Sequence, residues 1–179
     1  MKDKIRKIIS DIYFENNTEL FVQGCRNKIV FLDDLLNKIN DLIDTYDVYS
    51  FDNEPAEKVE LSVNSKMYYE VCIKYESLLF INKIVKCYYI QHEFSIDNPD
   101  DEGIDPCLDG FRGEAYCKKQ FVLDEAIEKY MSEQGYERLS CIEIDEIFPE
   151  MIKPKVSDSP EFFSVNNALF MDYYGFFEE

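Results

Sequence analysis

The sequence predicts an α+β fold: N-terminal helices, an antiparallel sheet of three to four or more strands, and C-terminal helices packed on one face. Three observations carry this. Apolar residues recur at helical spacing before Asp44. The period changes to two between Val59 and Ile96. Helical spacing returns after Cys117. The chain of 179 residues has the length of one ordinary domain, and 46% hydrophobic residues supply a sizeable core, so a single domain over 1–179 is expected.

Ile5, Ile8, Ile9, Ile12 and Tyr13 predict an amphipathic helix over about 2–15, ended by Asn16-Asn17. The stretch Phe21-Val22-Gln23-Gly24 is ambiguous. A second helix carries Leu32, Leu35, Leu36, Ile39, Leu42 and Ile43 on one stripe, with Asp33 and Asp34 where the helix dipole favours acid. Residues 45–57 are polar, contain Pro55 and read as a loop.

Val59, Leu61 and Val63 then alternate with polar residues, as do Tyr69, Val71, Ile73 and Tyr75. Asn64-Ser65 and Glu76-Ser77 read as turns, and Leu78–Ile96 is β-prone with a break near Asn82-Lys83. Three or four strands with short connections give an antiparallel meander. Residues 97–116 read as a long acidic loop. A third helix is expected over 117–133, with Phe121, Val122, Ala126, Ile127, Tyr130 and Met131 facing the core and Gly135 closing it. Ser140 and Glu143 have capping-box spacing, predicting a short helix over 141–148. Residues 153–160 read as a linker, and an aromatic helix over 164–174 is expected to dock back on the sheet.

The formal net charge is −18, and the acid concentrates after Asp97. Such a charge opposes nucleic acid and anionic membranes, and it suits a basic protein partner. Met1-Lys2-Asp3-Lys4 leads into an amphipathic helix, and no apolar run is long enough to span a membrane, so a cytoplasmic protein with free thiols is expected. Abundant Phe, Tyr, Ile, Asn and Lys beside scarce Ala, Arg, Gly and Pro follow AT-rich codons, which points to a low-GC bacterial genome.

Candidate chemistry is sparse. The single histidine, His92, shares a strand face with Ile90 and Phe94, which predicts a hydrogen-bonded core histidine rather than a general base. Asn98, Asp100, Glu102, Gly103 and Asp109 fall at EF-hand positions, but Pro99, Asp105 and Pro106 interrupt the pattern, and a solvated turn is expected. Cys87 and His92 point to opposite faces and make no zinc pair. Asp109-Gly110-Phe111-Arg112-Gly113 follows no predicted strand and lies among acids, unlike a phosphate loop. No enzyme, cofactor or metal is expected.

The surface carries more. Asp100, Asp101, Glu102, Asp105, Asp109 and Glu114 are the candidate partner contacts. Glu143, Asp145, Glu146 and Glu150 extend the acid, with Tyr88, Tyr89, Tyr116, Tyr136, Tyr173 and Tyr174 as candidate aromatic anchors at its rim.

Tyr89-Ile90-Gln91-His92-Glu93-Phe94, Asn98-Pro99-Asp100, Leu108-Asp109-Gly110-Phe111 and Gly135-Tyr136-Glu137-Arg138-Leu139 together resemble small cytosolic bacterial immunity proteins over about 85–150. The resemblance implies a single-domain acidic α+β protein that binds and neutralises a cognate toxin, often a nuclease; it fixes no binding residue. The alternatives are a phage-type inhibitor of a host defence nuclease, and a small metal-binding module or enzyme.

Overall fold

The computed structural model describes residues 3–69, 71–96, 108–148, 163–172 and 176. The architecture is the predicted α+β fold. Helix α1 (Asp3–Ile9) runs on into a widened π-helical turn at Ser10–Phe14, and Asn16 ends it with φ +55°. The ambiguous stretch is helical: α2 (Thr18–Cys25) starts where the Asn17 side chain accepts the Leu20 amide. Helix α3 (Leu32–Ile39) follows and buries Leu32, Leu35, Leu36 and Ile39 of the expected stripe, while Leu42 and Ile43 lie beyond the helix, half-buried against the same core.

Six strands form one sheet: β1 (Thr45–Tyr49), β2 (Ala56–Tyr68), β3 (Val71–Asn82), β4 (Cys87–Ile96), β5 (Leu108–Arg112) and β6 (Glu137–Arg138). The order is β1-β2-β3-β4-β5, antiparallel throughout, with β6 lying parallel to the start of β4. Three sequence expectations change here. Residues 45–49 are a strand and not a loop, as are 108–112. The two expected turns at Asn64-Ser65 and Glu76-Ser77 do not exist. A bulge between Ser62 and Asn64 absorbs the first, and β3 runs straight through the second because Ser77 is held by His92 across the sheet. The expected break near Asn82-Lys83 is present, at 83–86, where the buried Asn82 side-chain Oδ1 accepts the Ile84 and Val85 amides.

Helix α4 (Lys118–Glu133) packs with α3 over one sheet face. It buries Gln120, Leu123, Ile127, Tyr130 and Met131, whereas Phe121 and Val122, expected in the core, are exposed. The buried stripe is rotated because Gln120 takes a core position. Gly135 closes the helix at φ +74°, and the Tyr136 amide donates to the Met131 carbonyl, so the expected Schellman closure forms. Tyr136 then stacks edge-on against Phe31 of the loop before α3.

Among the described residues, the opposite sheet face is covered at one end only. There α1, α5 (Cys141–Ile144) and α6 (Val165–Phe170) bury Ala56, Cys87 and Tyr89 among aromatic side chains. Both α5 and α6 start with complete capping boxes, Ser140 with Glu143 and Ser164 with Asn167. Helix α5 is shorter than expected, and α6 docks on the sheet as expected, with its Leu169 carbonyl accepting from Asn82. The expected linker at 153–160 lies outside the described residues.

A candidate interface on the bare half of the sheet

On the face under α4, the central strand positions are committed to the core. The His92 ring is fully buried, and its Nδ1 shares a hydrogen bond of 2.8 Å with the buried Ser77 hydroxyl. Nε2 faces Asp124 Oδ1 at 3.7 Å, too long for a hydrogen bond, while Asp124 Oδ2 accepts from Arg138 Nη1 at 2.9 Å. Burial pushes the Asp124 carboxyl up, but the facing imidazole and the Arg138 guanidinium outweigh it and hold it below the usual carboxylate range. Serine, histidine and aspartate thus stand in a row, but Ser77 has no solvent exposure and bonds Nδ1, so its hydroxyl holds the ring. His92 is the hydrogen-bonded core histidine that its strand phase predicts.

Gln120 completes this face. Its amide nitrogen donates to the Glu76 carbonyl at 2.8 Å and the Glu93 carbonyl at 2.9 Å, and its oxygen accepts the Tyr116 amide at 2.9 Å. One buried side chain therefore ties the start of α4 to the main chains of β3 and β4. Beside it, Glu114, Tyr116, Phe121, Asp124 and Arg138 line an open cleft of about 600 Å³. The Arg138 guanidinium is already occupied by Asp124, Glu128 and the Gly113 carbonyl.

Beyond α6, the other face of these strands is bare among the described residues, and it is acidic. Strand alternation puts Asp47, Glu60, Glu76, Glu93 and Asp109 on it, one carboxylate from each of β1 to β5. Two pairs are directly opposed across the ladder: Asp47 with Glu60, and Glu76 with Glu93. Lys58 and Lys74 share the face, and Lys58 Nζ reaches Glu60 at 2.6 Å. That hydrogen bond holds the Glu60 carboxyl below its ordinary range, against a smaller effect of burial. Two shallow grooves of about 260 and 240 Å³ share Glu76 and Glu93 and run across the sheet from Thr45 to Phe111. Tyr49 and Phe111 stand exposed at opposite ends of this face.

The expected contacts divide. Asp109 lies on the bare face, and exposed Glu114 lines the cleft beside Arg138. Asp100, Asp101, Glu102 and Asp105, with the whole EF-hand-like stretch except Asp109, lie outside the described residues, as do Glu150, Tyr173 and Tyr174. Two expected anchors are corrected: Tyr88 and Tyr89 are buried, and burial pushes the Tyr89 hydroxyl up to about 12. Glu143 serves the α5 cap, and Glu146 pairs with Arg6. Burial likewise pushes the Cys25 and Cys87 thiols up to about 12, and the described cysteines are unpaired. No group of three or more His, Cys, Asp or Glu suited to a metal occurs among the described residues, and no described helix is long and apolar enough to cross a membrane.

Glu60, Glu76 and Glu93 do not stand out in the sequence as a site, because single carboxylates in separate strands look like ordinary solvated positions. The signal was present: they alternate with Leu61, Ser77 and Phe94 at period two. No protein-family model, curated protein or solved structure matches this chain.

Proposed function

We propose that the protein is a non-enzymatic binding protein that receives a basic protein partner on the bare half of its sheet. Within that class, the acidic charge and the resemblance to immunity proteins favour a neutraliser of a cognate toxin domain, with a nuclease as the target type. The observation that carries the reading is the pair of like-charge oppositions, Asp47 against Glu60 and Glu76 against Glu93, on a face that no described element covers. Like charges directly opposite each other destabilise a sheet. A partner bringing Lys or Arg to this face would relieve that repulsion, and its approach would be steered by the net charge of −18. A nuclease groove, built to hold phosphates, has the complementary field. Asp109 belongs to the same face, and Asp100, Asp101, Glu102, Asp105 and Glu114 remain proposed contacts.

The test is capture of a partner from native lysate with the tagged chain, followed by kinetics with that partner purified. The expected result is one basic protein whose association slows about tenfold or more between low and high salt. The triple variant Glu60→Gln/Glu76→Gln/Glu93→Gln should bind it much more slowly while remaining folded. Unchanged binding by that variant would remove the face from the proposal.

A further inference from the structure

The bare face ends at a strand edge. β1 pairs with β2 through all five residues, Thr45 to Tyr49, and no described element pairs with its outer side. Every second residue of such an edge turns its N–H and C=O groups outward, a ready template for another strand. Proteins ordinarily blunt edges with lysine, proline, a bulge or a covering segment. β1 has no lysine, proline or bulge, and all five residues are exposed. Its apolar side chains are open as well: Tyr46 is 48% exposed, Val48 40%, Tyr49 39% and nearby Phe51 52%. The opposite margin of the sheet is divided between two strands, β6 beside the start of β4 and β5 beside its end.

Charge selects the occupant. Asp44, Asp47, Asp52 and Glu54 fall within the stretch from Asp44 to Glu54, which holds no basic residue. A second copy of this chain, pairing antiparallel about the centre of β1, would set Asp47 against Asp47, which is unfavourable. An extended segment with Lys or Arg on one side and apolar residues on the other has no such conflict. Its basic side would lie beside Asp47 on the bare face, and its apolar side would meet Tyr46 and Val48 on the helix-covered face.

We propose that β1 receives an extended strand of the basic partner by β-strand addition, in alternating basic and apolar register. This rests on the basic-partner reading above and adds where and how the partner pairs. The backbone ladder would supply affinity, and the alternate side chains specificity.

The probe is a short peptide of alternating lysine and valine, with a glutamate–valine peptide and a lysine–valine peptide N-methylated at alternate residues as comparisons. Amide exchange of the isotope-labelled full chain is followed by NMR. The proposal expects the lysine–valine peptide to bind, to slow exchange of outward amides within residues 45–49 at least tenfold, and to lose at least tenfold in affinity on N-methylation. Equal binding of the N-methylated peptide, with residues 45–49 unprotected, would overturn strand addition while leaving the acidic face as a basic docking surface. Equal binding of the glutamate–valine peptide would overturn the charge argument beneath both proposals. Failure of the lysine–valine peptide to bind would overturn strand addition alone, since capture of the native partner tests the other reading separately. Protection of 45–49 by self-association without peptide, seen as a dimer in sedimentation, would replace the partner's strand with a second copy.

Discussion

The same three strands, β2 to β4, present two faces that solve the polar-group problem in opposite ways. Under α4, the Ser77 hydroxyl and His92 Nδ1 pair with each other and Gln120 satisfies three main-chain groups at once, while His92 Nε2 lies buried beside Asp124 without a hydrogen bond. On the far side of the same residues, Glu76 opposes Glu93 with no described helix above them. The main chains of Glu76 and Glu93 are thus anchored from one face by Gln120, while their side chains repel on the other. The contrast teaches that rigidity and repulsion here are coupled by position: the covered face fixes the two strands in register, so the bare face cannot slide to separate its charges.

Breaking the anchor should have the largest effect. Gln120→Leu leaves two carbonyls and the Tyr116 amide without their partner, and each lost buried partner costs about 1–3 kcal/mol. The expected loss is roughly 3 kcal/mol, measured as the shift of a urea unfolding midpoint at unchanged slope. A loss below about 1 kcal/mol would show that water replaces the amide and that the covered face is not a sealed one.

Next in size is Asp124→Asn. The carboxylate sits between Arg138 and His92, and its removal leaves the guanidinium with the longer contacts to Glu128 at 3.4 Å and the Gly113 carbonyl at 3.3 Å. The expected cost at neutral pH is about 2 kcal/mol, the range for hydrogen bonds to charged groups. The pH dependence has a definite sign. Asp124 has a lowered carboxyl pKa in the folded chain, so its stabilisation is full above the unfolded value and is lost as pH falls through the folded one. The difference between wild type and Asp124→Asn should therefore shrink below about pH 4. A difference that stays constant into acid would mean that charge plays no part in the contact.

These two positions also show what sequence reading reaches and where it stops. Period-two alternation placed His92 in the core, and helical spacing placed α1, α3 and α4, because both signals are local. Gln120 was invisible: a glutamine in a helix reads as solvent-facing unless the carbonyls of Glu76 and Glu93 are known to lie beneath it. Ser77 read as a turn for the same reason, since its partner His92 lies in the next strand. β1 was hidden by its neighbours Asp44, Asp52, Asn53 and Pro55, although Thr45-Tyr46-Asp47-Val48-Tyr49 itself has strong strand formers. The acidic face depends on register between strands, which no single segment encodes.

The smallest expected effect tests the bare face directly, and its sign is opposite to the others. Glu76→Gln removes one charge from the opposed pair while keeping the side chain's length. It should stabilise the chain by about 0.5 kcal/mol at low salt, within the range of cross-strand pair energies. The gain should fade at high salt, because these side chains face solvent and are screened. Glu93→Gln should give a similar gain, tempered by the Gln91 amide that donates to Glu93 at 2.6 Å. The double variant should gain less than the two single gains combined, because either change alone ends the repulsion. Differential calorimetry of the four proteins at two salt concentrations reads all of this. Gains that add fully, or a loss in either single variant, would mean the two carboxylates do not repel across the ladder. A salt-sensitive gain in stability accompanied by slower binding of a basic partner would show the face trading stability for recognition.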